Sequence, residues 1–209
     1  MSFITTLHPV LFCCCVDQGA HIGEARDAAF EYGAKHGMTY INGYDHPQII
    51  AGAGTIGLEI IDQVPDVEAV VVPVGGAGLI AGISLAIKAL KPDVKVYGAE
   101  PAVLPSLTAA LEAGHPVDVG INASTLADGL FVPKVSTPDA CVLVFLILCK
   151  TQLFCIQVGL NAFRLARQFV DKVVTVRENY IALAMLRLLE LEKNVVEGGS
   201  NHFVAYVFW

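Results

Sequence analysis

The residues best suited to chemistry are a glycine run, Gly75-Gly76-Ala77-Gly78-Leu79, set between the apolar stretch 70–74 and the helix-like stretch 79–90. Glycines let a backbone approach a ligand closely. The free N–H groups and positive end of the helix that follows suit an anion, most often a phosphate. Two residue-level readings stay open at this point, beside a plain strand–helix turn that binds nothing. In one, Gly76-Ala77-Gly78-Leu79-Ile80-Ala81 satisfies G-x-G-x-x-G/A and Glu100, about 20 residues on, supplies a ribose-binding acid for a dinucleotide. In the other, the loop holds the phosphate of a different cofactor. A P-loop is excluded, because no Lys-Ser/Thr follows the glycines.

Other candidate groups say less. The histidines lack metal-ligand spacing, and no serine stands in a nucleophile-elbow pattern. The six cysteines fall in two patches, Cys13, Cys14, Cys15 and Cys141, Cys149, Cys155, in no C-x-x-C arrangement. With no basic n-region ahead of them, they read as free thiols of a cytoplasmic protein.

The elements that must position the loop are written in two alternating periods. Residues 21–36 read as a helix stopped by Gly37, 39–41 as a short strand, and Asn42-Gly43 with Asp45-His46-Pro47 as turn chemistry. Residues 48–63 have helical spacing weakened by three glycines. Strands are expected at 70–74, 94–97 and 173–176, and helices at 79–90 and 179–193. In the last of these, Ile181, Ala184, Met185, Leu188 and Leu189 form one stripe. Such alternation gives an α/β fold, a parallel sheet with helices on both faces. The chain has 209 residues, 55% of them hydrophobic and 16% charged, with a net charge of −7. That is too apolar for a disordered chain and long enough for a sizeable core. The acidic balance and the lack of a Lys/Arg cluster exclude a nucleic-acid footprint. The apolar run 140–149 is shorter than the roughly 20 residues that span a bilayer.

The blocks HIGEARDAA, YINGYDHPQIIAGAGTIGLEI, AVVVPVGGAGLIAGISLAIK, VYGAEP and STLADGLFVPKV, then VGLNAFRLARQFVDKVVTV and IALAMLRLLELEKNVVEG, resemble consecutive blocks of the L-threonine/L-serine ammonia-lyases. These are tryptophan-synthase-β-like pyridoxal-phosphate enzymes, with serine racemase a close relative. The resemblance implies part of a fold type II enzyme and pyridoxal 5'-phosphate as cofactor. It also implies L-threonine or L-serine as substrate, water elimination to a 2-oxo acid and ammonia, and a homo-oligomer. It places the cofactor phosphate on the backbone N–H groups of Gly75, Gly76, Ala77, Gly78 and Leu79. Family members usually carry glycine at position 77; if φ is positive there, the Ala77 Cβ costs about 1 kcal/mol. Gly129, of the Asp128-Gly129 pair, would line the cofactor pocket. Glu100 matches an acid that binds a divalent metal in serine racemase; read as a residue, it is an exposed carboxylate at a strand end. Ala53 stands where the family commonly has Gln.

The same resemblance divides the chain. Residues 16–39 correspond to a remnant of the small domain, and 40–135 with 158–199 to the large cofactor-binding domain. Residues 1–15, 136–157 and 200–209 match nothing in the family, as expected of an incomplete or mis-spliced product with poor solubility. The Schiff-base lysine of the family lies upstream of HIGEARDAA, in a block not found here. Lys35, Lys88, Lys91, Lys95, Lys134, Lys150, Lys172 and Lys193 all read as surface residues, so no catalytic residue is assigned. The alternative is therefore a non-catalytic fragment or binding module of the same family.

Overall fold

The computed structural model describes residues 3–8, 11–16, 22–119, 125–130 and 158–199. The apolar run 140–149, Lys134, Lys150 and the tail 200–209 lie outside them. The chain divides into two compact units, Met1–Ile41 and Asn42–Trp209.

In the first unit, β1 (Phe3–His8) pairs antiparallel with β2 (Leu11–Val16), Phe3 opposite Val16 and His8 opposite Leu11. Helix α1 (Ile22–His36) stops at Gly37, where φ is +64° and the Met38 N–H donates to the Gly33 carbonyl. That is the glycine stop expected from the sequence. The strand expected at 39–41 does not form. The chain folds back after the turn and sets the Tyr40 ring 4.1 Å from that of Phe30, while Ile41 stays exposed. Residues 39–41 pair with no strand among the described residues, and three β-prone residues without a partner do not hold a strand.

The second unit is built on a three-stranded parallel sheet in the order β3-β4-β5: Ala69–Pro73, Lys95–Pro101 and Lys172–Val176. The register sets Ala69 beside Lys95 and Tyr97 beside Lys172. Helices α2 (Pro47–Gln63), α3 (Gly78–Leu90), α4 (Ser106–Ala113), α5 (Leu160–Phe169) and α6 (Glu178–Arg187) complete it. Alternation along the strands sends side chains to opposite faces. Val72 and Val96 join Ile80, Ile87, Leu107 and Phe163 in the larger core. Ala99 and Val176 meet Ile181 and Ala184 of α6 on the other face. The fold is α/β with helices on both sides of the sheet, as the alternating periods predict.

Two elements depart from their sequence reading in an instructive way. Of the three glycines of α2, Gly54 and Gly57 let it approach α3, whereas Gly52 faces open space. A Cβ on Gly57 would lie 2.9 Å from the Ile83 carbonyl oxygen, and one on Gly82 only 2.7 Å from the Gly54 nitrogen. The helix expected to run to Lys193 keeps α geometry only to Arg187. It then opens into a π-helical turn (Leu188–Glu192), which Lys193 ends with φ +57°.

Candidate functional site

Strand β3 delivers the glycine run to the head of α3. The Val74 N–H still donates to the Ala99 carbonyl (2.8 Å), extending the ladder to the edge of the loop. Gly76, Ala77 and Gly78 are buried, and Leu79 is exposed. Ala77 sits in the left-handed region, φ +68° and ψ 0°, as the N-cap of α3, where no side chain caps the helix. Its methyl is 2% exposed within the larger core, so burial worth about 0.8 kcal/mol offsets much of the conformational cost.

Two of the glycines are required by packing. A Cβ on Gly76 would press into the Tyr44 ring, 2.7 Å from Cε2, and one on Gly78 would meet the Tyr44 backbone, 2.8 Å from Cα. The loop carbonyls are used from behind. Gly159 N–H donates to the Gly76 oxygen (3.1 Å) and Ala81 N–H to the Ala77 oxygen (3.0 Å). The N–H groups of Gly75, Gly76, Ala77, Gly78 and Leu79, by contrast, donate to no acceptor among the described residues. A row of free donors at the positive end of a thirteen-residue helix fits an anion such as a phosphate.

Beside the loop lies the turn that carries Tyr44. Asn42 Oδ1 accepts from the N–H groups of Tyr44 (2.8 Å) and Asp45 (2.9 Å), an Asx turn. His46 caps α2 through Gln48 N–H at 3.3 Å. The Asp45 carboxylate accepts from Leu160 N–H (3.1 Å) and Ala162 N–H (2.9 Å), while its carbonyl accepts from Asn161 Nδ2 (3.0 Å). Neither Tyr44 nor Asp45 is singled out by sequence reasoning. The turn chemistry at 42–47 is visible, but its partners 115 residues away are not.

Glu100 differs from the exposed strand-end carboxylate expected of it. It is 0% exposed at the end of β4, and Oε2 accepts from Leu107 N–H (2.9 Å). Oε1 accepts from Thr108 N–H (3.0 Å) and Oγ1 (2.5 Å). Burial pushes its pKa above the ordinary carboxylate range, opposed by those three hydrogen bonds. Both oxygens serve the first turn of α4. A buried carboxylate committed in this way does not fit a ribose acid, so the dinucleotide reading loses its second support. Among the described residues no group of three His, Cys, Asp or Glu side chains that could hold a metal ion is present.

Gly129 lies in a 3-10 turn, Asp128–Leu130, beside Glu197 and Gly199. Its Cβ position is 3.4 Å from Glu197 Oε1, and Gly198 packs against the Leu126 carbonyl. Thr125 Oγ1 and Leu126 N–H bond the Glu178 carboxylate (2.7 and 2.9 Å) at the start of α6. No described hydrogen bond joins Gly129 to residues 75–79. The described lysines with polar partners also point elsewhere. Lys88 and Lys95 pair with Asp171 (2.8 and 3.4 Å), Lys91 donates to the Pro65 carbonyl and Lys193 to that of Glu190.

The profile of the family described as pyridoxal-phosphate dependent enzyme matches residues 6–207. An L-threonine ammonia-lyase of Thermotoga maritima is 40% identical over 190 residues, covering 91% of this chain and 41% of that protein. The solved structure of a threonine deaminase from T.th. superposes with a TM-score of 0.72 at 31% identity, covering 87% of this chain and 58% of that one. Threonine deaminase isoform 2 from Solanum lycopersicum, in its processed form, gives 0.75 at 32%, covering 90% and 48%. The chain thus spans about two fifths of the curated relative's length and about half of the solved chains.

Proposed function

We propose, for a chain that belongs to the pyridoxal-phosphate-dependent enzyme family, that residues 75–79 seat the cofactor's phosphate. On this reading the chain serves an ammonia-lyase reaction on L-threonine or L-serine, in which water is lost and a 2-oxo acid and ammonia leave. The observation that carries it is the row of N–H groups without acceptors at the head of α3. When bound, pyridoxal phosphate supplies an electron sink for the pair left at the substrate's α-carbon. The protein's part at this loop is to hold the anion. Backbone donors and the α3 dipole stabilise its charge, and the Tyr44 contact with Gly76 and Gly78 keeps the backbone fixed.

A second reading has its own observation: the polar partners of Lys88, Lys91, Lys95 and Lys193 all lie away from the loop. In that reading these residues hold cofactor without turning over substrate, as a binding module of the family. One experiment tests both. The purified chain is titrated with pyridoxal phosphate, with and without inorganic phosphate, then reduced with borohydride and mapped by mass spectrometry. Production of 2-oxobutanoate from L-threonine is followed in parallel. Saturable binding that phosphate displaces supports the loop as the site. A single labelled lysine with 2-oxobutanoate formation supports the lyase, and displaceable binding without turnover supports the module. Labelling spread over surface lysines and indifferent to phosphate refutes both.

A further inference from the structure

Asp45 does more than end a turn. In a planar trans peptide, the C=O of one residue and the N–H of the next point in opposite directions, and no cis peptide is present among the described residues. The bond from Gly159 N–H to the Gly76 oxygen therefore turns the Ala77 N–H the other way, away from the head of α5 and into the row of free donors. Gly159 is the N-cap residue of α5 and has no side chain with which to cap it. Asp45 performs that capping from 115 residues away, on Leu160 and Ala162, the first and third residues of the helix. The contact is so close that a Cβ on Gly159 would collide with the carboxylate, 2.6 Å from the Asp45 Cβ.

We infer that Asp45 is a positioning residue for the phosphate loop. It fixes the head of α5, the head of α5 fixes Gly159, and Gly159 fixes the peptide plane that aims the Ala77 N–H. This rests on the reading of residues 75–79 as the phosphate site. It adds that the loop's affinity for an anion is set by a carboxylate that never touches the anion. The arrangement also separates two negative charges, because the Asp45 oxygens are held by α5 and the cofactor anion would be held by α3.

The test uses inorganic phosphate as the probe and the Ala77 amide as the reporter. In a two-dimensional amide spectrum of the full chain, phosphate is expected to shift the Ala77 N–H downfield with saturation. Asp45→Asn keeps one acceptor and is expected to weaken phosphate binding roughly tenfold, about 1.4 kcal/mol. Asp45→Ala should weaken it further and broaden the Ala77 amide. Ala166→Gly, in the interior of α5 and distant from Gly159, serves as a control for loss of helix stability alone and should leave phosphate affinity within twofold. Equal affinity in wild type and Asp45→Asn would overturn the inference while leaving the phosphate site standing. So would an equal loss in Ala166→Gly. No saturable shift in wild type would overturn both.

Discussion

The crossing of α2 and α3 gives one substitution, glycine to alanine, a sign that changes with position. Within a helix, alanine is favoured over glycine by about 1 kcal/mol. At Gly52 a Cβ meets nothing within 4 Å, so Gly52→Ala should realise that gain and raise the melting temperature by about 2–4 °C for a chain of this length. At Gly54 the Cβ would stand 3.2 Å from the Gly82 carbonyl oxygen, and the two effects should nearly cancel. At Gly57 it would stand 2.9 Å from the Ile83 oxygen and 3.2 Å from the Ala86 Cβ, for a net loss of about 1 kcal/mol. At Gly82 the obstructing atoms are the backbone of Ile50 and Gly54, which cannot rotate away. Overpacking of about 3 kcal/mol, less the propensity gain, leaves Gly82→Ala about 2 kcal/mol less stable. Thermal melts and urea titrations of the four variants give the order directly. A Gly82→Ala protein that melts above wild type would refute the close crossing, and with it the fixed seat of α3.

Further expectations concern charge and strain. Ala77→Gly should change stability by less than about 0.5 kcal/mol, since release of the left-handed strain and loss of a buried methyl oppose each other. Ala77→Val should cost more than about 2 kcal/mol, read from denaturant midpoints. For Glu100 the folded pKa is raised, so its protonated form favours the fold and that contribution fades as pH rises through the raised value. The stability of wild type relative to Glu100→Gln should therefore fall as pH rises above the ordinary value of 4.5; a flat difference would contradict the burial. Asp171 behaves oppositely. Burial raises its pKa, but bonds from Lys88 and the Val96 N–H outweigh this and hold the carboxyl below its usual range. The stability it contributes is present above its ordinary pKa and lost as acid takes the pH below it. Asp171→Asn should cost about 1–2 kcal/mol at pH 7 and show a shallower acid limb in melts.

The order of strand, glycine loop and helix was legible because its signals are local. An apolar β-branched run, three glycines and an apolar stripe lie within about two dozen consecutive residues, and β3 and α3 fall within a residue of the expected bounds. The possible positive φ at residue 77 was raised only by the resemblance, in which glycine usually stands there, and φ is +68°. Residues 39–41 misled because β propensity says nothing about whether a partner strand exists. Glu100 misled because a carboxylate at a strand end is usually wet, and only the return of α4 onto β4 dries it. Asp45 and Tyr44 stayed hidden for the same reason on a larger scale: the turn around them is written locally, its purpose is not. Among the described residues no helix is long and apolar enough to cross a membrane.

The distant cap of α5 also bears on how the molecule folds. A ten-residue helix falls short of the roughly 12–15 residues that persist alone in water, and a glycine at its head gives it no local start. Its first turn becomes favourable only once residue 45 has been brought to it across most of the chain. Ordering of α5 is thus coupled to closure of a long loop, the kind of non-local contact that slows folding. The α2–α3 pair needs a far shorter connection and can assemble first. In pulse-labelled hydrogen exchange, amides of α2 and α3 would gain protection early, and those of Leu160 and Ala162 only with the last phase.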